Sequence, residues 1–348
     1  MRQAFSLVLL FSCVLCSSAG DPLLLKRIST GLVQGVWLDV QRQRSSALHT
    51  AEKVAVWKSI PYGQAPVAHL RWAPPLPAAS WSGVLDASSS RLPCVQPDGS
   101  GSEDCLHLHV TAPAGAVSAT AALPVLVYIH GGGLMDGSGM YEYMSAFAAH
   151  ADVVVVAINY RLSVFGWLAL PALMLDDGSV GNYGLLDQQL ALRWVRSNIM
   201  AFGGDGRRVT VAGQSSGGTS VLALYSSPYS AGLFDGGISL SGSINISMGT
   251  SQAFAQNQII ADLLRCAGAS SAQCLRNASV LQLVQAQRQS AWGQTPGIFG
   301  LDKTTPRGLS PSKQWIGSFV CRRAFKALFL FFFSFYCPQL MPPPQASP

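Results

Sequence analysis

The chain has 348 residues, of which 49% are hydrophobic and 11% are charged, a balance that suits a buried globular core and excludes intrinsic disorder. Its formal net charge of +6 comes entirely from residues 303–348, because residues 1–302 carry 17 basic and 17 acidic side chains. The main part of the chain is therefore neutral and has no basic stripe of the kind that binds nucleic acid.

The first 19 residues have the pattern of a secretory signal peptide. Arg2 supplies a positively charged start, residues 4–16 supply a short apolar stretch, and small residues precede Gly20 as a cleavage site requires. A membrane anchor is the alternative, but the stretch is too short to span a bilayer. We therefore expect a secreted protein in which Asn245 and Asn277, each heading an Asn-X-Ser sequon, are glycosylation sites.

Entry into an oxidising compartment would allow the cysteines to form disulfides. Six cysteines remain after the signal peptide, and two of them lie in the C-terminal tail. Cys94 and Cys105 flank one loop, and Cys266 and Cys274 flank a second, shorter one. Each pair could close a small surface disulfide, although the sequence alone leaves the connectivity open.

Predicted strands and helices alternate along the chain. An edge strand at residues 30–37 precedes residues 60–100, which are rich in proline, serine and tryptophan and are predicted to form a loop. The later predicted strands are 106–112, 123–129, 153–159, 208–212 and 236–241, and the predicted helices are 182–200, 217–225 and one or two surface helices within 252–290. This alternation indicates an α/β protein with a mostly parallel sheet and helices on both faces.

The composition changes at residue 303, where a basic tail rich in phenylalanine and proline begins. Its apolar segment, residues 324–336, is too short for a transmembrane helix, which needs about 20 residues. Membrane contact by the tail is therefore the less favoured alternative. We interpret residues 303–348 as a divergent end that does not join the core.

The predicted strand 208–212 leads directly into Gly213-Gln214-Ser215-Ser216-Gly217, which has the Gly-X-Ser-X-Gly pattern of a nucleophile elbow. In such an elbow a strand turns sharply into a helix and exposes the serine hydroxyl at the carboxyl edge of the sheet. The pattern alone is common by chance, but here the predicted strand and helix on either side supply the required context. Ser215 is therefore the candidate nucleophile.

A second motif, His130-Gly131-Gly132-Gly133, follows the predicted strand 123–129. Consecutive glycines allow backbone N–H groups to point into one small volume, as an oxyanion hole requires. Beside the elbow, this motif favours the N–H groups of Gly132, Gly133 and Ser216 as oxyanion donors over a glycine-rich turn without a catalytic role. The sequence contains no Gly-X-X-X-X-Gly-Lys-Ser/Thr loop that would indicate a phosphate site instead.

A serine nucleophile needs a base, and hydrolases with this elbow take their acid and then their histidine from later in the chain. All six histidines precede Ser215: His49, His69, His107, His109, His130 and His150. Only three carboxylates follow it: Asp235, Asp262 and Asp302. We predict structural roles for His107 and His109, which lie on one side of a strand, and expect no histidine within hydrogen-bond reach of Ser215. No triad acid or base is identified.

Several sequence blocks, taken in order, resemble the type-B carboxylesterase/cholinesterase family. They are residues 103–106, 128–133, 159–162, 181–188 and 202–205, followed by the elbow. The resemblance runs from about Leu24 to about Gly300 and assigns residues 20–302 to the N-terminal portion of a carboxylesterase domain. It implies an α/β-hydrolase fold and cleavage of small-molecule carboxylic esters through an acyl-serine intermediate, with no metal or other cofactor.

The resemblance also implies two disulfides, Cys94–Cys105 and Cys266–Cys274, and two structural ion pairs, Arg71–Glu103 and Arg161–Asp187. Two residues of the elbow depart from the family pattern. Gln214 stands where active relatives usually carry glutamate, and Ser216 stands where they usually carry alanine. The missing charge at Gln214 argues against a cationic choline ester as the preferred substrate, whereas Ser216 can still donate its backbone N–H.

Members of this family continue well beyond residue 300, and their triad acid and histidine lie in that later part. We therefore expect a C-terminally truncated or alternatively ended member, with a sheet that is incomplete at the C-terminal end and with impaired hydrolysis. The alternative is a non-catalytic, cholinesterase-like adhesion or binding module. The oligomeric state is left open by the sequence.

Overall fold

The computed structural model describes residues 20–40, 52–117, 121–139, 143–243, 247–268, 271–290 and 298–299. The predictions for the signal peptide, His49, Asn245, Asp302 and the tail at 303–348 lie outside these residues. The strands are β1 (Leu25–Ile28), β2 (Gly31–Gln34), β3 (Val36–Val40), β4 (Glu52–Pro61), β5 (Val84–Asp86), β6 (His107–Pro113), β7 (Leu123–Ile129), β8 (Val154–Ile158), β9 (Gly204–Gln214), β10 (Gly236–Leu240), β11 (Ser247–Met248) and β12 (Ile298–Phe299). The α-helices are α1 (Tyr143–Ala151), α2 (Ser163–Trp167), α3 (Tyr183–Asn198), α4 (Ser216–Ser226), α5 (Thr250–Leu263), α6 (Ser271–Asn277) and α7 (Val280–Gln289).

Seven strands form the central sheet in the order β10-β9-β7-β8-β6-β4-β3, and β1, β2 and β5 form a smaller sheet. The strands from β10 to β8 are parallel, whereas those from β8 to β3 pair antiparallel. The predicted α/β class is confirmed. The expectation of a mostly parallel sheet holds only for the half that carries the predicted elbow.

The antiparallel half contains β4, a strand that the sequence analysis did not assign. Successive side chains of β4 point to opposite faces, and both sets are buried: Ala55 and Trp57 on one side, Val54 and Val56 on the other. The predicted edge strand 30–37 is two strands, β2 and β3, that are divided at Gly35. A Cβ on Gly35 would lie 2.5 Å from the indole nitrogen of Trp57, so the backbone passes too close to that ring for any side chain.

Helices cover both faces of the sheet. The side chains of β7 show this, because Val125, Val127 and Ile129 lie in the main core cluster while Leu126 and Tyr128 pack on the other face. Helix α1 covers that second face, and α3 contributes to the main cluster. The predicted helices at 182–200 and 217–225 are confirmed as α3 and α4, whereas residues 252–290 form three helices rather than one or two.

The covalent and ionic pairs implied by the resemblance are present. Disulfides join Cys94 to Cys105 and Cys266 to Cys274. Two buried arginines each bind one carboxylate through two guanidinium nitrogens: Arg71 binds Glu103, and Arg161 binds Asp187. Among the described residues, no helix is both long and apolar enough to cross a membrane.

Candidate active site

Ser215 lies in the turn between the end of β9 at Gln214 and the start of α4 at Ser216. Its backbone angles are φ 55° and ψ −124°, a conformation that residues with a side chain rarely adopt and that costs about 1–3 kcal/mol. Two main-chain hydrogen bonds hold it there, from Ser215 N to Leu240 O (2.8 Å) and from Thr219 N to Ser215 O (2.9 Å). The side chain is partly exposed at the carboxyl edge of the parallel strands.

The glycines on either side of Ser215 allow the elbow to approach its own helix and the neighbouring strand. A Cβ on Gly213 would collide with the backbone of Gly217. A Cβ on Gly217 would collide with the carbonyl oxygens of Ile129 and His130, at the end of β7. Both positions therefore require glycine, because the turn packs directly against the strand that leads into the second motif.

That second motif opens the glycine loop, which we define as residues 130–139. Gly132 and Gly133 have φ values of 110° and 65°, in the region that favours glycine. The carbonyl oxygen of Gly132 accepts hydrogen bonds from the N–H groups of Met135 (3.0 Å) and Asp136 (3.1 Å), which closes the loop into a tight turn. The N–H groups of Gly132, Gly133 and Ser216 donate to no partner within the described residues.

The glycine loop and the elbow are in direct contact. A Cβ on Gly131 would lie 3.2 Å from the Cβ of Ser215 and 2.7 Å from the carbonyl oxygen of Gln214. The N–H of Leu134 donates to the hydroxyl of Ser216 at 3.1 Å, in buried surroundings. The structure therefore brings together all four residues that the sequence analysis assigned to the nucleophile and its oxyanion donors, which are Ser215, Gly132, Gly133 and Ser216.

Three side chains that the sequence analysis did not assign to the site hold the glycine loop in place. The Gln96 amide makes a paired contact with Gly137, accepting from its N–H (2.9 Å) and donating to its carbonyl oxygen (3.0 Å). The Tyr160 hydroxyl donates to the carbonyl oxygen of His130 (2.8 Å), and the Asn159 side chain accepts from the N–H of Gly139 (2.8 Å). Asn159 and Tyr160 belong to the block 159–162 that resembles the family, whereas no sequence motif pointed to Gln96.

His130 begins the glycine loop, but its ring contacts Tyr160 and the loop backbone and makes no hydrogen bond to Ser215. It stacks on Tyr160 with 4.4 Å between ring centroids, and its Nδ1 lies 2.8 Å from the carbonyl oxygen of Gly131. Burial lowers the pKa of His130 to about 4, so the imidazole is neutral at pH 7. Its Nε2 is buried and has no hydrogen-bond partner in the described part of the chain.

No other described histidine binds the Ser215 hydroxyl either. His107 and His109 are buried in β6, as their predicted structural role requires, and burial lowers the pKa of each to about 4. Asp104 lies 3.7 Å from Nε2 of His107, but at neutral pH this contact joins a carboxylate to an uncharged ring. His69 and His150 are exposed. None of the five described histidines makes a hydrogen bond to the Ser215 hydroxyl, and His49 lies outside the described residues.

The carboxylates that follow Ser215 do not form a triad acid among the described residues. Asp235 lies just before β10, at the opposite end of the sheet from Ser215, and binds Arg196 (3.1 Å) and the N–H of Val209 (2.8 Å). Asp262 on α5 accepts from the Gln258 side chain at 2.9 Å. Neither lies beside a histidine. The described residues also hold no cluster of three or more histidine, cysteine or carboxylate side chains that could bind a metal ion.

The geometry of the described site therefore consists of a strained serine beside three backbone N–H groups without partners. Such an arrangement can place a nucleophile and stabilise the negative oxygen that forms when the nucleophile adds to a carbonyl group. It lacks a group able to take the proton of the serine hydroxyl. The nucleophile and the oxyanion donors, which local sequence motifs predict, lie together. The base that an acyl-transfer site also needs is absent from the described residues.

Comparison with known proteins gives a consistent result. The family model described as "Carboxylesterase family" matches residues 25–306. Carboxylesterase 1C of Mus musculus is 41% identical over an alignment of 256 residues, and the match covers 67% of this chain and 45% of that protein. Cocaine esterase of Oryctolagus cuniculus is 39% identical over an alignment of 273 residues, and the match covers 72% of this chain and 49% of that protein. The chain thus spans about half the length of these relatives.

Solved structures resemble the described fold as well. A carboxylesterase of Geobacillus stearothermophilus superimposes with a TM-score of 0.70 at 35% sequence identity, and the match covers 81% of this chain and 56% of that one. A PNB esterase superimposes with a TM-score of 0.65 at 37% identity and covers 76% of this chain and 53% of that one.

Proposed function

Because the chain belongs to the carboxylesterase family, we propose that it carries the nucleophile and the oxyanion hole of a carboxylic ester hydrolase that acts through an acyl-serine intermediate. Ser215 is the nucleophile, and the N–H groups of Gly132, Gly133 and Ser216 bind the oxyanion. The observation that carries this proposal is the contact between the glycine loop and the elbow, which places three N–H groups that have no partner among the described residues next to one strained serine.

In the proposed reaction the Ser215 oxygen adds to the ester carbonyl carbon, the serine proton passes to a base that the described residues do not supply (a buffer base or hydroxide), and the carbonyl electron pair moves onto the oxygen that faces the three N–H groups. Collapse of this adduct returns the proton to the departing alcohol and leaves an acyl-serine, which water then hydrolyses to the acid and free serine. Each of the three donors would contribute strongly, since loss of one such donor typically reduces kcat by about 10²–10³-fold.

We expect the 348-residue chain by itself to turn over esters slowly. The serine proton must pass to a base, and no described histidine lies within hydrogen-bond distance of the Ser215 hydroxyl. An oxyanion hole and substrate binding without a complete triad retain about 10³–10⁴-fold acceleration over water. Formation of the Ser215 adduct and turnover would therefore both depend on a base supplied from solution.

The proposed substrate is an uncharged small-molecule ester. Gln214 precedes the nucleophile and, unlike a glutamate, brings no negative charge there, which removes one group that would favour a cationic alcohol. Secretion is part of the proposal, and two observations support it. Both disulfides suit an oxidising compartment, and Asn277 is exposed at the end of α6, where a glycan could be attached.

The second candidate function is that of a non-catalytic binding module on the same fold. It is favoured by one observation, the lack of any hydrogen bond between a described histidine and Ser215. In this case Ser215 would be a structural remnant, and the three N–H groups would have no oxyanion to bind. Fold alone does not separate the two functions, so the chemistry of Ser215 must be tested directly.

The test uses an alkyl trifluoromethyl ketone in an imidazole buffer: the Ser215 oxygen adds to the ketone carbon, the serine proton passes to imidazole, and the product is a hemiketal with a negatively charged oxygen. We expect ¹⁹F NMR of the 348-residue chain to show a bound hemiketal. Ser215→Ala should abolish that signal, whereas Ser220→Ala, which changes a buried serine one turn further along α4, should keep it. A wild-type chain that forms no hemiketal would support the binding module and refute the hydrolase.

A further inference from the structure

We propose that the hydroxyl of Ser216 is a positioning group that fixes the oxyanion hole to the nucleophile elbow. This inference rests on the proposed function and assigns a second task to a residue whose backbone N–H is already one of the three donors. The Ser216 hydroxyl accepts a hydrogen bond of 3.1 Å from the N–H of Leu134, the residue that follows Gly133. Ser216 is 7% exposed and Leu134 is 0% exposed, so water does not replace this contact.

The contact matters because the glycine loop runs through three consecutive residues with positive φ. These are Gly132 at 110°, Gly133 at 65° and Leu134 at 62°. Leu134 carries a side chain and therefore disfavours this conformation, so the loop needs external contacts to keep it. Two hydrogen bonds supply them: Leu134 N donates to Ser216, and Leu134 O accepts from the N–H of Ser163 at 2.8 Å.

Fixing the N–H of Leu134 also fixes its neighbour. That N–H belongs to the peptide group that joins Gly133 to Leu134, and its direction sets ψ of Gly133. Gly133 has no atom within 4 Å of the position that a Cβ would occupy, so packing does not restrain it. The hydrogen bonds from Met135 and Asp136 to Gly132 O hold the turn itself, and the hydrogen bond from Leu134 to Ser216 ties that turn to the elbow.

The support continues behind Leu134 into the helical layer. The Gln287 side chain donates to the Ser163 hydroxyl (2.8 Å) and accepts from the N–H of Val164 (3.1 Å), so α7 holds the start of α2. Ser163 in turn donates its N–H to Leu134. Leu134 is thus held from α7 on one side and from the elbow on the other, and the elbow side depends on one hydroxyl.

This hydroxyl is a feature of the present chain rather than of the pattern it resembles, in which alanine usually occupies position 216. Alanine provides the same backbone N–H but no acceptor for Leu134. Ser216 sets the distance between donors because one residue provides the third donor and the anchor for the other two. Removing the hydroxyl should loosen the hole and leave the nucleophile and all three N–H groups in the chain.

The experiment compares wild type, Ser216→Ala and the matched control Ser220→Ala. Ser220 lies on the same helix as Ser216, and its hydroxyl accepts a hydrogen bond from Gln188 of α3 at 3.1 Å. Two ligands are titrated by ¹⁹F NMR: the trifluoromethyl ketone, which forms an oxyanion, and its carbinol, which does not. We expect Ser216→Ala to weaken ketone binding about tenfold, less than the 10²–10³-fold effect of deleting a donor, and to leave carbinol binding unchanged. Ser220→Ala should change neither.

Hydrogen exchange of the Leu134 amide gives a readout that does not depend on ester chemistry. We expect faster exchange in Ser216→Ala and an unchanged rate in Ser220→Ala. The positioning role is overturned if Ser216→Ala binds the ketone as wild type does, if it weakens ketone and carbinol equally, or if the Leu134 amide exchanges at the wild-type rate. A wild-type chain that forms no Ser215 hemiketal instead refutes the proposed function itself, and the positioning role with it.

Discussion

Arg161 and Asp187 are joined by three hydrogen bonds, two from the guanidinium group (2.8 and 2.7 Å) and one from the Arg161 main-chain N–H (3.0 Å). Both side chains are almost fully buried, so breaking the pair would leave a charge without a partner in the interior. We expect Asp187→Asn to lower the free energy of unfolding by about 3–5 kcal/mol, as measured by urea denaturation.

The control for this prediction is a salt bridge on the surface. Arg207 pairs with Asp205, but its side chain is 91% exposed. Water and salt screen such a pair, so Arg207→Gln should leave the urea midpoint nearly unchanged. Equal effects of the two substitutions would mean that the buried pair is not a special support of the fold.

The approach of Gly131 to the elbow makes a second prediction about the site. A Cβ at this position would lie 2.7 Å from Gln214 O and 3.2 Å from Ser215 Cβ, so the glycine loop would have to move away from the nucleophile. We expect Gly131→Ala to weaken binding of the trifluoromethyl ketone about 10²-fold, the loss that a misplacement of about 1 Å can cause.

Gly99→Ala separates steric displacement from a general loss of backbone freedom. Gly99 has a positive φ, 87°, whereas Gly131 does not, and no atom lies within 4 Å of the Gly99 Cβ position. This control should lower stability slightly through backbone strain and leave ketone affinity unchanged. If Gly131→Ala binds the ketone as well as Gly99→Ala does, the contact between glycine loop and elbow does not determine the site.

The site could be predicted to the extent that its parts are local in sequence. Ser215 and the glycines of both motifs lie at turns after buried strands, and β7 and β9 are adjacent parallel strands, so their carboxyl ends meet. The hydrogen bond from Leu134 to Ser216 joins residues 82 positions apart, and that from Gly137 to Gln96 joins residues 41 apart. No local pattern marks such contacts, because they arise only after the strands have packed.

The fold was predictable to a similar extent. Apolar β-branched runs identified β7 and β8, which are buried on both faces, and helical spacing identified α3. The strand β4 was missed although it is also buried on both faces, and Gly35 was read as part of one strand because its contact with the Trp57 ring is a tertiary feature. Because β4 pairs antiparallel with both β3 and β6, missing this strand also left the antiparallel half of the sheet unpredicted.

The disulfide between Cys94 and Cys105 is expected to support the site as well as the fold. Gln96, which binds Gly137 of the glycine loop, also donates to the carbonyl oxygen of Cys94 at 2.7 Å. Replacing both cysteines with serine should lower the free energy of unfolding by about 3 kcal/mol, because the bond restricts the unfolded chain. The same replacement should also weaken binding of the ketone. Urea denaturation and the ¹⁹F titration measure the two effects on the same variant.

The second disulfide is the matched control. Cys266–Cys274 closes a loop of similar length, and its loss should cost about as much stability. None of the hydrogen bonds among the described residues connects this disulfide to the glycine loop, so ketone affinity should remain at the wild-type value. Equal losses of affinity in the two double variants would show that Gln96 transmits nothing from the first disulfide to the site.

Three buried histidines make the stability of the chain sensitive to mild acid. Burial is the main cause that lowers the pKa of His107, His109 and His130, each to about 4. Asp104 opposes the shift at His107, and at His109 the neighbouring His107 and Lys58 add to it. In the unfolded chain each imidazole titrates near pH 6.5. Between these two values the unfolded state binds more protons than the folded state, so folding is favoured at the higher pH.

We therefore expect the free energy of unfolding to fall as the pH is lowered from about 6.5 towards 4, by up to about 1.4 kcal/mol per pH unit for each histidine. Above pH 7 this contribution is constant, because both states are then uncharged. Urea denaturation at pH 7.5, 6.5, 5.5 and 4.5 measures the slope. His109→Gln should reduce it by about one third, since one of three groups is removed, whereas His69→Gln, at an exposed position, should leave it unchanged. A slope that is equal in the wild type and His109→Gln would mean that His109 takes up its proton at the same pH in the folded and unfolded states.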